Sequence, residues 1–416
     1  MPDSTPPAGP LPRPYLAWLA AVTAGRLGDA VLGFGLGWAA SGHGGTAAAL
    51  VLTVGAAPRL VLLVLGGAVA DRFGARRIVI GGEAALLGLT VALAVLLARF
   101  GSPTWLLLTS SLALGAVAAF CLPASGSMPR RLVPDDQLVR ALALRQGSSQ
   151  TVQMLAAPLG GVLVATAGLT AVAWGDAVAL AAGLCVLVAV RELSGPESPG
   201  TAPRPPRLDL ADGVRVVART PGLGAALALT GASAALMLPV PSLLVPLLGR
   251  ASGWGAGVTG TVAGAVGVGV IGASLLAARR GRRSSGPGAA RAGFVLSAAG
   301  AAVLALAHPV GPTAGAVAAA VGAVTFGLGN GVVVARLAPL VLGSAPRTHL
   351  ARVQALVGLV QLVPVMVANT ALGALAQHAS PGAALAATAA GLGACAAWAG
   401  RGALDPHVGR GVTVSR

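Results

Sequence analysis

The chain has no lysine and a single tyrosine, Tyr15, and aromatic residues make up only 3% of its 416 positions. Too few rings are present for a base-stacking platform, and the basic residues are scattered rather than gathered into a stripe. Nucleic acid is therefore not an expected partner, despite a formal charge of +16. All 28 basic residues are arginine; with the excess of alanine and glycine, this reflects the base composition of the gene and carries no functional weight. Only three cysteines occur, Cys121, Cys185 and Cys395, an odd number placed in apolar stretches at no metal-ligand spacing. No phosphate-binding loop, metal constellation or nucleophile–base motif is found, which argues against ATP-driven transport, enzymatic catalysis and a bound cofactor. Residues 1–13 are rich in proline, carry only Arg13, and lack the basic start and cleavage site of a signal peptide, so this segment is expected to remain attached.

What the chain has in quantity is hydrocarbon. Hydrophobic residues form 55% of it, charged residues 10%, and there are 61 glycines, the small residues that let membrane helices approach closely. A bilayer-spanning helix needs about 20 apolar residues, and polar or turn-rich breaks divide the sequence into twelve such segments. Their expected spans are 15–40, 46–70, 77–98, 104–127, 144–167, 170–190, 223–248, 255–278, 289–307, 312–335, 353–376 and 382–400. An even count puts both termini on one side. With that side cytoplasmic, only Arg99 and Arg250 of the arginines fall outside, as the positive-inside rule requires. Residues 192–206 turn rich in Pro, Ser and Gly, and Asp209, Asp212, Arg215 and Arg219 then recur at helical spacing opposite Leu210, Val214 and Val217. This predicts a linker with a short amphipathic helix on the membrane surface, stopped by Pro221. The expected organisation is a tail (1–13), a six-helix bundle (14–191), a cytoplasmic linker (192–221), a second six-helix bundle (222–400) and a tail (401–416).

Between the second and third spans lies a charged turn containing Gly67, Asp71, Arg72, Gly74, Arg76 and Arg77. Residues 274–283 can be laid over it with the glycine and arginines in register, and Ala278 stands where Asp71 would be. Repeated halves joined by a linker are the architecture of a transporter that rocks around a central site. Asp71 can accept hydrogen bonds from arginines or a helix N-terminus across the interface, which makes the turn a candidate cytoplasmic gate. The bland alternative is a positive loop that only sets topology.

The turn matches the signature that the major facilitator superfamily carries between its second and third helices, and the chain resembles a member of that superfamily. The resemblance implies an all-α membrane protein, with twelve transmembrane helices in two pseudo-symmetric six-helix bundles. It also implies secondary transport of a small-molecule substrate by alternating access. The fragments Arg26-Leu27-Gly28-Asp29, Trp174-Gly175-Asp176-Ala177 and Gly253-Trp254-Gly255-Ala256-Gly257 look like the bacterial branch of enterobactin exporters and macrolide-efflux proteins, which implies efflux of a drug, siderophore or other metabolite. The arginine that proton antiporters of the superfamily commonly carry in the fourth helix is missing from 105–128, and the Gly-Pro pair of their fifth helix is displaced in residues 156–161. Importers or facilitators of the same fold, and transporter-derived sensors or scaffolds, are the alternatives. A monomer in the inner (plasma) membrane, with protons as coupling ion and the lipid bilayer as surroundings, is the expectation.

Several polar side chains fall in apolar spans. Arg26 and Asp29 lie about halfway through the first, where a charge costs at least ~2.5 kcal/mol, and their spacing of three puts them on one helix face. Burial and the arginine pull the proton affinity of Asp29 in opposite directions, so the pair is a candidate for proton coupling or, equally, a fixed ion pair. Arg59, midway through the second span, is expected to answer Asp29, bind an anionic group of the substrate, or cap broken backbone near Pro58. Glu83 is expected to join the cytoplasmic arginines and Asp176 to cap the start of the sixth helix. Gln146, Gln150 and Gln153 make one polar stripe, Gln354, Gln361 and Asn369 another, and Asn330 lies in the tenth span. These amides are expected to line a cavity or to bridge helices. Phe34 and Trp38 face away from Arg26 and Asp29 and are expected to serve packing or the outer interface; the scarcity of rings argues mildly against large flat cations as cargo.

Overall fold

The computed structural model describes residues 10–65, 75–189, 215, 222–280, 288–308, 311–344 and 350–400, and these form helices and short turns with no strand among them. Among the described residues, eleven helices are long and apolar enough to cross a membrane. One of them, Leu138–Ala189, has 52 residues and would be about 78 Å long as a single rod, more than twice the hydrocarbon thickness. It is broken at Gly168, whose φ of 81° and ψ of 166° lie outside the helical region. Two antiparallel spans result, and the expectation of twelve is met.

In chain order the helices are α1 Arg13–Ser41, α2 Gly45–Leu65, α3 Ala75–Phe100, α4 Thr104–Leu132, α5 (138–167) and α6 (169–189). They continue as α7 Leu223–Ala251, α8 Ala256–Arg280, α9 Gly288–Leu306, α10 Pro312–Ser344, α11 Leu350–His378 and α12 Pro381–Gly400. Most match the sequence expectation within a few residues. The fifth starts earlier than expected, after a 3-10 turn at Asp135–Gln137, and α10 runs on to Ser344. Hairpins α1–α2, α3–α4, α5–α6, α7–α8 and α9–α10 close through Gly44, Gly101, Gly168, Gly253 and Gly311, all at positive φ. A side chain is strained there, so glycine is what lets these apolar rods reverse in so few residues. This face of the bundle is called the hairpin end, and the opposite face, where α1 starts and α12 stops, the terminal end.

Helix α7 is not one α-helix. Leu223–Met237 is α-helical, Val240–Leu244 forms a π-turn in which Val245 N–H donates to the Val240 carbonyl, and Val245–Ala251 resumes the α-helix. Pro239, Pro241 and Pro246 each lack the N–H that the i→i−4 ladder needs, and widening the turn re-pairs the freed carbonyls.

Helices α1–α6 pack mainly on one another, as do α7–α12, and the two halves meet along α5–α8 and α2–α11 with a smaller contact between α1 and α7. These seams belong to the hairpin side. Gly161 and Gly260 lie backbone to backbone, Gly264 sits against Pro158, and Gly267 against Met154. On the other seam Gly45 and Gly373 are in backbone contact, with Ala49 packed on Gly373. The buried core follows the same division. One large cluster draws from both halves, including Leu36, Leu107, Leu244 and Phe326. Toward the terminal end no cluster of described residues spans both halves: one around Tyr15, Trp18 and Leu132 belongs to the first half and one around Leu223, Leu227 and Val341 to the second, and the large cluster runs on there through second-half residues such as Phe294, Leu337 and Ala399. The halves are closed on each other at the hairpin end and parted at the terminal end.

The amphipathic linker helix falls outside the described residues apart from Arg215, which is helical. So do Gly67, Asp71, Arg72 and Gly74 of the charged turn; Arg76 and Arg77 begin α3, and Arg77 is exposed.

Candidate functional site

Midway through the first half, α1, α2 and α4 enclose a cavity of about 390 Å³, with Leu86 of α3 at its edge. Asp29 projects into it from α1 and Arg59 from α2. The third polar lining residue, Ser111, donates its hydroxyl to the Val51 carbonyl at 2.7 Å, and the remaining lining is aliphatic or glycine. The floor is a close crossing of α2 and α4, where Gly115 lies on the backbone of Gly55 and Gly55 on the Ser111 side chain. Small residues at these three positions are what let the two helices approach, and that leaves α1 standing off to form the cavity. Asp29 and Arg59 are both exposed to it, and among the described residues neither forms an ion pair or a hydrogen bond.

Arg26 is not in this cavity. It lines a small cleft toward α5 with Arg145, Ser148 and Val152, while Arg145 lies 5.9 Å over the Trp18 ring. Asp29 and Arg59 thus line one cavity while Arg26 lines the α5 cleft; Arg26 still acts electrostatically on Asp29, but among the described residues no ion pair joins Asp29 to either arginine. A second cavity, about 340 Å³, lies between α7, α10 and α11 of the other half. Thr230, Ser233 and Gln361 are its polar lining, and Asn330 sits half-buried one turn before its lining residue Val334 on α10. Thr230 and Ser233 hydroxyls are committed to backbone carbonyls in their own helix, which leaves Gln361 as its uncommitted amide.

Gln146, Gln150 and Gln153 are exposed and line neither cavity. Met154, Ala157, Pro158 and Gly161 are the positions of α5 that meet α8. A step of four residues back from Met154 gives Gln150, and four more give Gln146, so these two continue the α8-facing stripe into the region where the halves have parted. Gln153 stands at the flank of that stripe.

Glu83 is half-buried on α3. Asp176, expected to cap the start of a helix, instead lies within α6, because the turn at Gly168 starts that helix seven or so residues earlier. It is 3% exposed. One carboxylate oxygen rests where a Gly28 side chain would be, and neither oxygen has a hydrogen-bond partner among the described residues, although Thr90 of α3 is a neighbour. Gly28→Leu is expected to force α1 off α6 and to cost about 1–3 kcal/mol, read as a lower melting temperature in detergent. Asp176→Asn, which keeps the volume, should leave that temperature unchanged or raised.

Two seam features were only partly legible in the sequence, Asn369 of the polar stripe on the eleventh span being the legible part. Arg250, at the hairpin end of α7, donates from Nη2 to the Trp38 carbonyl at 3.0 Å and from Nε to Ser41 Oγ at 3.4 Å, and its guanidinium lies 3.8 Å from the Trp38 ring centroid. It ties the two halves together, as does the Gln377 side chain, which accepts from Gly45 N at 2.7 Å. The one signal was that Arg250 stands against the positive-inside trend. The second is a pair of buried, unpartnered polar atoms, Thr53 Oγ1 and Asn369 Oδ1, on the two sides of the α2–α11 seam. Polar groups left unpaired in a seam make its separation less costly, since opening hydrates them.

A parted helical bundle with a cavity in each half and polar latches at one end defines a polytopic transport protein. The model of the Major Facilitator Superfamily matches residues 18–369, and the chain belongs to that superfamily. No curated protein matches it in sequence. Among solved structures it is similar to a bacterial homologue of the iron transporter ferroportin in an inward-facing state, with a TM-score of 0.74 at 16% identity, covering 94% of this chain and 98% of that one. It is similar also to a bacterial metal transporter (0.67, 15%, 94% and 99%). A third is a POT family transporter in complex with 5-aminolevulinic acid (0.71, 14%, 95% and 97%). These identities establish the shared fold, and the enterobactin and macrolide branch is not among these relatives.

Proposed function

We propose that the protein is a secondary active transporter of the inner (plasma) membrane, with both termini cytoplasmic, that exports a small molecule in exchange for protons. The observation that carries the transport reading is the split core: buried residues of the two halves share a cluster toward the hairpin end, whereas at the terminal end each half's buried clusters are its own. A bundle held together only on one side by glycine seams and a few polar latches is one of two alternating arrangements. With the arginine-rich loops in the cytoplasm, the parted face is the cytoplasmic one, and cargo enters from there.

Asp29 supports the coupling part. It is the acidic residue that faces a cavity among the described residues, and although Arg26 on the same helix acts on it electrostatically, no ion pair ties it down. A carboxylate so placed can hold a proton in one state and an ionic partner in the other, which is what an exchanger requires. The test is flux in everted vesicles under an imposed pH gradient, with candidate compounds screened against wild type and Asp29→Asn. Gradient-driven accumulation in wild type that is lost in the variant supports exchange. Flux indifferent to the gradient supports a facilitator instead.

A further inference from the structure

Asp29 and Arg59 are opposite charges in one cavity that do not satisfy each other. Counted from the hairpin end, Asp29 lies twelve residues down α1 and Arg59 fourteen residues down α2, so both sit about 18–21 Å below that face, at nearly the same depth. Each is exposed to the cavity, and among the described residues neither has an ion-pair or hydrogen-bond partner. The surfaces between them are Leu32, Leu52, Ala56 and the glycines of the α2–α4 crossing, which offer no polar group. Two charges of opposite sign that face one cavity across an aliphatic gap, with no ion pair between them, are both available to a ligand that bridges them.

We infer that this cavity takes a small amphoteric molecule, one cationic group on Asp29 and one anionic group on Arg59, with a short aliphatic span between. Arg59 presents a planar fork suited to a carboxylate or phosphate oxygen pair, and Asp29 accepts from an ammonium or similar donor. A purely cationic ligand would leave Arg59 unpaired beside it, and a purely anionic one would leave Asp29 with only Arg26, which lines another cleft, to offset its charge. The cavity discriminates against both. The inference rests on the transport reading and names the class of cargo for it.

The test uses the full-length protein and linear ω-amino carboxylates of increasing chain length starting at glycine, each with its methyl ester and its N-acetyl derivative. Binding is read as a shift in melting temperature of the purified protein in detergent. One chain length is expected to bind at least ~10-fold more tightly than its ester and its acetyl form, a difference of about 1.4 kcal/mol. Arg59→Gln should abolish the preference over the ester and keep that over the acetyl form; Asp29→Asn should do the reverse. Masked derivatives binding as well as the parent, or variants that keep both preferences, overturn the inference. So does wild-type protein that binds no member of the series. If that protein still interconverts between its two closures, the transport reading stands; a single fixed closure overturns both.

Discussion

Asp29→Asn is expected to reduce substrate flux driven by a pH gradient to the background of empty vesicles, while exchange of substrate for substrate persists at saturating concentration. Asparagine keeps the volume and a hydrogen-bonding oxygen at the edge of the α1–α2–α4 cavity but can neither release a proton nor carry a negative charge. On the proposed exchange, net export needs the carboxyl to pick up a proton on one side and lose it on the other. Exchange moves one substrate molecule for another and needs no such cycle. The split between the two assays separates a coupling residue from a structural one, since a merely destabilised protein loses both. Arg26→Gln is the companion variant. Arg26 lines the α5 cleft rather than this cavity but acts electrostatically on Asp29, so gradient-driven flux should survive that change with an altered pH dependence.

Gly260→Leu is expected to trap the protein in the arrangement open at the hairpin end. A side chain there meets the Ala157 carbonyl and the backbone of Gly161, neither of which can move without displacing α5 as a whole. An overpacked contact costs about 1–3 kcal/mol, which shifts a two-state equilibrium by about 5–150-fold. Ala256→Cys, placed in the seam where the wild-type residue is 5% exposed, reports the result in a background with the three natural cysteines replaced. Labelling by a membrane-impermeant thiol reagent should rise in the Gly260→Leu protein. Arg250→Ala should act in the same direction more weakly: it removes the stacking on Trp38 and the bond to its carbonyl, together about 1–3 kcal/mol, but leaves the glycine seam intact.

Much of the architecture was legible in the sequence because hydrocarbon thickness imposes a length on every span and arginine marks one face. The α5–α6 reversal is an example: the gap left between 167 and 170 contained Gly168, which takes the positive φ. The π-turn of α7 was not legible, since three prolines among leucines and valines still read as one apolar segment, and only the backbone shows how their missing donors are accommodated. Asp176 was misread for a related reason. Its Trp-Gly-Asp context looks like a helix start, yet the start is fixed by the turn at Gly168, and burial against Gly28 comes from packing between distant segments. Of the candidate site, Asp29 and Arg59 stood out as charges in hydrocarbon, but that they share a cavity while Arg26 turns away depends on helix rotation, which periodicity does not set. The Arg250–Trp38 contact joins residues 212 apart in sequence, and no local pattern announces it.

The central claim is that two rigid halves close alternately at the two ends of the bundle. Electron-electron distance measurement with paired spin labels in proteoliposomes tests it. One pair is placed at exposed positions near the terminal end, Leu142 on α5 and Leu276 on α8, and the other near the hairpin end, Thr166 on α5 and Val258 on α8. Shifting the equilibrium with Gly260→Leu should lengthen the hairpin-end distance and shorten the terminal-end distance in the same sample. Distances that lengthen together, or a terminal-end distance that stays fixed while the hairpin end opens, would contradict the account.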